Sequence, residues 1–93
     1  MIKSFHCKET EKIFSRQFSK KFPKNLQRIA YGRLLLIASA ERLDDLRIPP
    51  GNRIEKLSGK REGQHSIRIN DQWRVCFRWH MGDAYEVEIA DYH

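Results

Sequence analysis

The chain closes on three consecutive side chains that can hold or transfer protons, Asp91, Tyr92 and His93. Histidine, with an ordinary pKa of about 6.5, gives or takes a proton at neutral pH. Two arginines, Arg68 and Arg74, precede them, and the arginine fork suits a phosphate group. Together these groups favour cleavage of RNA by its own 2′-hydroxyl, which needs a base, an acid and a cation but no metal and no protein nucleophile. The alternative for a C-terminal histidine is a solvated chain end.

The stretch that carries these groups, Gln64 to His93, predicts three antiparallel strands with one apolar and one polar face. Side chains alternate across a strand with period two, so each face can be read from every second residue. The predicted apolar face contains Ile67, Ile69, Trp73, Val75, Phe77 and Trp79. The predicted polar face contains Ser66, Arg68, Arg74, Cys76, Arg78 and His80.

The first hairpin fixes the register of the two arginines. A three-residue loop, Asn70 to Gln72, keeps the faces separate, because a one-residue slip would turn every side chain over. This loop sets Ile67 opposite Val75 and Arg68 opposite Arg74. Like charges directly opposite on a sheet are unfavourable, so the pair suggests an anion between them. The alternative is that both side chains splay into solvent.

The second hairpin follows from the same pattern if Met81 to Asp83 forms its loop. Each apolar residue of one strand then faces an apolar residue of the next, and two glutamates reach the polar face. The predicted neighbours are Trp79 with Tyr85, Phe77 with Val87, Val75 with Ile89, Arg78 with Glu86, Cys76 with Glu88, and Arg74 with Ala90.

The length of 93 residues predicts one domain, residues 1–93, with a modest core. No apolar run approaches the roughly 18 residues that a membrane span needs, and the first six residues lack the apolar region of a secretory leader. The two cysteines, Cys7 and Cys76, show neither metal-site spacing nor the density of a disulfide framework. We therefore expect a cytoplasmic protein with free thiols, without a metal or a cofactor.

The formal net charge of +6 lies entirely in the first half of the chain. Residues 1–47 contain 11 Lys and Arg against 5 Asp and Glu, whereas the remaining residues contain 7 of each. A basic small protein favours a polyanionic partner, with nucleic acid first among them. The alternative is that the charge serves solubility alone.

Apolar residues at helical spacing predict two helices in the N-terminal half, Glu9 to Lys21 and Pro23 to Ala40. Thr10 is the predicted cap of the first helix, and Pro23 suits the first turn of the second. The predicted core residues of the first helix and its end are Ile13, Phe14, Phe18 and Phe22. Those of the second helix are Leu26, Ile29, Ala30, Leu34, Ile37 and Ala38, while Leu35 and Leu36 broaden its apolar surface enough to meet a second chain.

The remaining segments are short. We expect Ile2–Phe5 to add a strand, Leu43–Leu46 to form a helical turn, and Arg53–Leu57 to form a short strand anchored by its apolar residues. The stretch from Ser58 to Gly63 is a loop with two glycines and two basic residues. Two helices followed by a twisted, mainly antiparallel sheet predict an α+β domain in which the helices pack on the apolar face of the sheet.

Four stretches give the sequence a family likeness over nearly its whole length. They are Met1-Ile2-Lys3-Ser4-Phe5, the run Leu57-Ser58-Gly59-Lys60-Arg61-Glu62-Gly63 with Ser66-Ile67-Arg68, the run Asn70-Asp71-Gln72-Trp73-Arg74-Val75-Cys76-Phe77, and Gly82-Asp83-Ala84-Tyr85 with the closing Asp91-Tyr92-His93. On these residues the chain resembles the HigB toxins, the plasmid maintenance killer branch of the RelE-like toxin superfamily.

The resemblance implies the toxin of a type II toxin–antitoxin pair, a compact α+β ribonuclease that cuts messenger RNA in the ribosomal A site. It implies a HigA-like helix-turn-helix antitoxin as partner, with operator DNA bound only through that antitoxin. The family's active-site roles map onto Asp91, Tyr92 and His93, with Arg74 as the phosphate-binding arginine. His93 would act in acid–base transfer, and Tyr92 would contact or stack on the RNA.

One position departs from the family pattern. Many members have Leu-Lys-Gly where this chain has Leu57-Ser58-Gly59, and a serine cannot replace the charge of that lysine. We expect Lys56, Lys60 or Arg61 to cover its role, and Arg68 together with the Lys60–Arg61 loop to bind RNA phosphate.

Two other classes of protein fit the same basic sequence. One is a noncatalytic module that binds RNA or the ribosome and blocks translation by occupancy, which needs the basic face but not His93. The other is a protein-interaction subunit of a DNA-binding repressor complex, which needs neither arginine. Codon preference, the surface that the antitoxin contacts and the oligomeric state do not follow from the sequence.

Overall fold

The computed structural model describes residues 1–92, which form two α-helices and one four-stranded antiparallel sheet. The helices are α1 (Lys8–Phe14) and α2 (Lys24–Ser39). The strands are β1 (Glu55–Lys56), β2 (His65–Arg68), β3 (Trp73–His80) and β4 (Asp83–Asp91), in the spatial order β1-β2-β3-β4. Short 3₁₀ turns occupy Leu43–Arg47, Pro50–Asn52 and Gly59–Arg61. This is the predicted α+β arrangement.

The helices cover one face of the sheet, and the core lies between the two layers. Its fully buried members from the sheet include Ile67, Val75 and Phe77, and those from α2 include Ala30 and Leu34. A hydrogen bond of 2.9 Å from Arg33 Nε to the carbonyl oxygen of Arg68 ties α2 to the end of β2. The opposite face of the sheet carries no α-helix from the described residues, and Leu57 and Tyr92 pack against part of it.

The predicted register of the first hairpin is confirmed. Ile67 pairs with Val75 and Arg68 with Arg74 across a loop whose geometry is set by Asn70. The Asn70 side-chain oxygen accepts the backbone N–H groups of Gln72 and Trp73 at 2.9 and 2.8 Å, which is the local turn that asparagine favours.

The predicted loop of the second hairpin is wrong near the turn. The chain reverses through two residues, Met81 and Gly82, and both have positive φ, as the two-residue turn that matches strand twist requires. A bulge at Glu86, with φ of 52°, then absorbs the one-residue offset. Trp79 therefore pairs with Ala84 rather than with Tyr85.

Beyond the bulge the predicted pairs are restored. Val75 lies opposite Ile89, Cys76 opposite Glu88 and Arg74 opposite Ala90. The predicted pair of Phe77 and Val87 falls within the irregularity and does not form in register. The predicted ion pair between Arg78 Nε and Glu86 does form, at 2.8 Å.

The first helix is shorter than predicted, because it ends at Phe14 instead of Lys21. Arg16 adopts a left-handed conformation with φ of 62°, and the buried Ser19 makes side-chain and backbone hydrogen bonds with Glu9 and Gln27 that a continuing helix would not allow. Phe18 consequently lies on the surface with 62% of its area exposed, which contradicts its assignment to the core.

The second helix begins at Lys24, one residue after Pro23, and its buried stripe is narrower than predicted. Leu26, Ala30, Leu34 and Ile37 are buried, as spacing at every third or fourth position requires. Ile29 lies about a quarter of a turn from the centre of this stripe and is exposed, so its prediction as a core residue was wrong.

The two terminal segments of the described chain meet at β4. Ile2 and Phe5 form isolated parallel bridges with Ala84 and Val87, so the predicted N-terminal strand is present only as two points of contact. The predicted strand 53–57 is likewise reduced to Glu55–Lys56.

None of the helices formed by residues 1–92 has the length and apolar character to cross a membrane.

Thr10 does not cap α1 as predicted but holds the helix against the sheet. Its side chain is fully buried, and its Oγ1 accepts the backbone N–H of Ile89 at 3.0 Å. We expect Thr10→Val, which keeps the shape but removes the acceptor, to lower the free energy of unfolding by about 1–3 kcal/mol, because a buried N–H is left without a partner. Denaturation in urea measures this loss.

Thr10→Ser is the matched control, since it keeps the hydroxyl and removes only a methyl group. The serine variant should lose less stability than the valine variant. Equal stability of Thr10→Val and the unaltered chain would contradict the structural role of this hydrogen bond.

Candidate RNA-binding cleft

Arg74 lies on the polar face of β3, at the second position of the strand, and is only 8% exposed. Its Nε donates to the buried Ser66 Oγ at 2.7 Å, and its Nη2 donates to the backbone carbonyls of Arg53 and Ser66. Its Nη1 lies 3.7 Å from Glu55 Oε1, which is within ion-pair range but too long for a hydrogen bond. The guanidinium is thus fixed on one side while its Nη1 protons can still reach a ligand oxygen.

The carbonyl that Arg74 contacts is presented by an irregular segment before β1. Arg53 adopts a left-handed conformation with φ of 44° directly after the Pro50–Asn52 turn. The fully buried Asn52 holds this turn by donating from its side-chain nitrogen to the carbonyl oxygens of Leu46 and Ile48 at 3.2 and 3.3 Å. The turn therefore brings both the backbone and the side chain of Arg53 to the edge of the polar face.

An open cleft of about 220 Å³ forms in front of Arg74. Its charged groups are three arginines and two carboxylates, and its other walls are an amide and a phenol. The lining residues are Arg53, Glu55, Arg68, Asn70, Asp71, Arg74 and Tyr92. Three guanidinium groups around one small opening suit an anion with several oxygen atoms, such as a phosphate diester.

Arg68 reaches the cleft from β2, where it faces Arg74 across the strand pair. Its Nη2 forms an ion pair of 2.5 Å with Asp71, whose side chain is fully exposed. An exposed pair of this kind contributes little stability, because water competes for both partners. A phosphate can therefore replace Asp71 as the partner of Arg68 at small cost.

The C-terminal tail is held by the loop of the first hairpin. The backbone N–H of Tyr92 donates to the carbonyl oxygen of Gln72, and the Gln72 side chain donates to Asp91 Oδ2 at 3.1 Å. The Tyr92 ring packs on the polar-face cluster of Leu57, Cys76 and Ala90.

Asp91 and Tyr92 are separated by the alternation of the strand. The Arg74 guanidinium lies 5.9 Å from the centre of the Tyr92 ring, whereas Asp91 is paired in register with Trp73 and does not line the cleft. Tyr92 is placed where a base could stack on it beside a phosphate held by Arg74. His93, the third residue of the predicted catalytic tail, lies outside the described residues.

The other predicted RNA-binding residues, Lys56, Lys60 and Arg61, do not line the cleft. Arg61 Nη1 donates to Glu88 Oε1 at 2.8 Å and to Gln64 Oε1 at 3.0 Å, and the hydrogen bond that Glu88 accepts raises the pKa of Arg61. Lys60 is exposed in the turn that follows the exposed Ser58.

Lys56 occupies the strand position next to Glu55 and pairs with His65, so it projects from the other face of β1. Burial first, and then the nearby charge of Lys56, lower the pKa of the His65 side chain. Of the groups named as substitutes for the family lysine, none lines the cleft around Arg74.

Four lining residues did not emerge from the sequence as site residues: Asn70 and Asp71, which were predicted only as part of the first hairpin loop, and Arg53 and Glu55. Arg53 has a left-handed backbone conformation, and Glu55 belongs to a strand of only two residues. This strand is too short for period-two alternation to predict which face a side chain occupies. The available signal was the polar-face position of Ser66. Because Glu55 pairs with Ser66, it shares a face with Arg74 once that pairing is known.

Solved structures of the same fold include YafQ from E. coli strain BL21(DE3). Its crystal structure matches 98% of this chain and 93% of its own with a TM-score of 0.58 at 12% identity. A variant of YafQ gives a TM-score of 0.56 at 13% identity. At this level of identity the similarity shows a shared fold.

Sequence comparison defines the class as RelE-like toxins. Residues 3–93 match the family model described as the RelE-like toxin of the type II toxin–antitoxin system HigB. The chain therefore belongs to the HigB-like toxin family.

Two relatives with family names support this assignment. Toxin HigB-1 of Vibrio cholerae is 42% identical over 62 residues, which cover 67% of this chain and 65% of that protein. Endoribonuclease HigB of Proteus vulgaris is 35% identical over an alignment of 98 positions that spans both chains completely. An uncharacterised protein of Haemophilus influenzae is 37% identical over 69% of this chain and 63% of its own length. The match thus spans slightly less than two thirds of the Vibrio and Haemophilus proteins.

The packing of Tyr92 on the cluster that contains Cys76 can be tested with a thiol reagent. Cys76 is fully buried, and burial raises the pKa of its thiol. In a Cys7→Ser background we expect Cys76 to react only as fast as the protein unfolds, because the reagent attacks the exposed thiolate. Tyr92→Ala should accelerate the reaction at least tenfold under native conditions, and Tyr92→Phe should not. Rapid native labelling of Cys76 with Tyr92 intact would contradict this packing.

Proposed function

We propose that this protein is an endoribonuclease that cuts messenger RNA in the ribosomal A site and thereby inhibits translation as the toxin of a type II toxin–antitoxin pair. The observation that carries the proposal is the cleft in which Arg53, Arg68 and Arg74 surround a space of about 220 Å³ beside Tyr92. Family membership and the name of the Proteus relative, an endoribonuclease, support it.

The RNA supplies the nucleophile in this mechanism. The 2′-oxygen of one nucleotide attacks the phosphorus that follows it, so the protein has to hold the phosphate, neutralise the charge that develops on it and transfer protons. Arg74 is suited to the first two tasks, since its bonds to Ser66 and Arg53 fix the direction of its Nη1. The family resemblance gives His93 a role in acid–base transfer, and we propose that it protonates the leaving 5′-oxygen.

Arg68 and Tyr92 would fix the RNA on either side of the phosphate. Arg68 exchanges its exposed partner Asp71 for a phosphate oxygen, and the Tyr92 ring offers a stacking surface for a base. A stretched, unpaired codon of the kind that a ribosome presents fits an open cleft of this size better than a duplex does. Asp91 would support the tail through its contact with Gln72.

The basic first half of the chain is proposed to bind ribosomal RNA. It contains the helices, and it carries the whole net charge of +6. Binding of this type releases counterions from the phosphates. This release becomes less favourable as the salt concentration rises, so the affinity for RNA falls. The proposed protein partner is a HigA-like helix-turn-helix antitoxin, through which alone the toxin would associate with operator DNA, and the proposed compartment is the cytoplasm.

Mapping of messenger ends tests the proposal. A labelled messenger is incubated with the purified protein, with and without ribosomes stalled on it. We expect cuts within the A-site codon only when ribosomes are present. His93→Ala is expected to lower the cleavage rate by about 10²–10⁴-fold while circular dichroism shows an unchanged fold, because general acid–base catalysis is lost.

Two other results would change the proposed mechanism. Equal cleavage of naked RNA would remove the ribosome as the obligatory scaffold. Intact messenger with translation nevertheless blocked would favour inhibition by occupancy, and it would draw attention to the exposed Ser58 at the position of the family lysine.

A further inference from the structure

Glu55 is a carboxylate inside a cleft that is otherwise organised for an anion. It shares the polar face with Ser66, its partner in the β1–β2 register, and its Oε1 lies 3.7 Å from Arg74 Nη1. Its side chain is 56% exposed and lines the cleft together with Tyr92. A negative charge at this position repels a phosphate, so its presence lowers the affinity for RNA unless it has a task in the reaction.

The fold does not depend on Glu55 to hold Arg74. The Arg74 guanidinium already donates to Ser66 Oγ and to the Arg53 carbonyl, and the separation from Glu55 is too long for a hydrogen bond. An ion pair with one largely exposed partner adds little stability.

Asp71, the other acidic residue that lines the cleft, has a different position. It is fully exposed and binds Arg68 directly, at 2.5 Å, so it masks that arginine rather than facing the phosphate beside Arg74. Glu88 on the same face is bound to Arg61 at 2.8 Å. Among these three, Glu55 is the carboxylate adjacent to the Nη1 that we assign to the scissile phosphate.

We propose that Glu55 is the general base that accepts the proton of the attacking 2′-hydroxyl, an inference that rests on the ribonuclease function proposed above. In an RNA chain the 2′-hydroxyl is adjacent to the phosphate that it attacks. A base has to lie beside the group that holds this phosphate, and Glu55 lies beside Arg74. Many family members have a lysine where this chain has Ser58. If Glu55 is the base, the reaction does not need that lysine for proton transfer.

The 2′-oxygen forms a bond to phosphorus, and its proton moves to the Glu55 carboxylate. The bond between phosphorus and the 5′-oxygen breaks, and that oxygen takes a proton from the acid assigned to His93. The products are a 2′,3′-cyclic phosphate and a 5′-hydroxyl, with a net transfer of one proton from acid to base.

Substitution of Glu55 by glutamine tests the proposal, because it preserves the shape and removes the basic oxygen. On messenger held by stalled ribosomes, we expect Glu55→Gln to lower the single-turnover rate at saturation by about 10²–10⁴-fold. The concentration for half-saturation should stay the same or fall, because one charge that repels phosphate is gone. Products ending in a 2′,3′-cyclic phosphate should be formed by the unaltered chain.

Two other variants separate charge from chemistry. Asp71→Asn removes the same charge from the same cleft, and it should share any gain in affinity without the large loss of rate. Glu86→Gln, at an exposed position of β4 where the carboxylate pairs with Arg78 outside the cleft, controls for the change in net charge and should leave both quantities unchanged. A loss confined to affinity in Glu55→Gln would mean that Glu55 only positions Arg74, and it would overturn the proposal.

Rescue by a small acid gives an independent readout that a structural role would not produce. Glu55→Ala leaves space beside Arg74, and added formate should restore cleavage in proportion to its concentration, whereas it should not restore His93→Ala. Cleavage at the full rate by Glu55→Gln, with the unaltered chain also active, would overturn the role of Glu55 and leave the ribonuclease function intact. Absence of cleavage by the unaltered chain under all conditions would overturn both.

Discussion

The structure depends on one buried charge. Arg74 is 8% exposed on β3, an inner strand of the sheet, and a guanidinium in that position destabilises the fold unless its donors are satisfied. Ser66 satisfies Nε only if β2 and β3 pair in the observed register, and Arg53 offers its carbonyl only if the chain turns back at Pro50–Asn52. The same bonds that satisfy the charge also leave Nη1 facing the cleft, so folding and assembly of the candidate site are linked.

Other hydrogen bonds hold the helices and the C-terminal tail in place relative to the strand that carries Arg74. The bond from Ile89 to Thr10 fixes β4 against the first helix, and the bond from Arg33 to the carbonyl of Arg68 fixes the second helix against β2. Gln72 ties the tail to the first hairpin, which brings the Tyr92 ring next to Arg74. The helices from the described residues therefore occupy the apolar face, and the cleft around Arg74 forms on the polar face.

Period-two alternation was sufficient to predict the polar face and the pairing of Arg68 with Arg74, because burial of one face permits only one register. It could not predict the second turn, since the positive φ of Met81 and the bulge at Glu86 depend on local backbone twist. Helical spacing overextended the first helix because the polar bonds of Ser19 end it. Glu55 was missed because its strand has two residues, too few for a pattern.

The central claim is that the fork of Arg74 holds the scissile phosphate in addition to supporting the sheet. Its most direct test is the single-turnover cleavage rate of Arg74→Lys on stalled ribosomes, measured where circular dichroism shows the variant folded. Lysine keeps the charge but cannot bond Ser66 and the Arg53 carbonyl while also donating to a phosphate. We predict a loss of about 100-fold or more. Cleavage at the rate of the unaltered chain by a folded lysine variant would contradict the account and restrict Arg74 to a structural role.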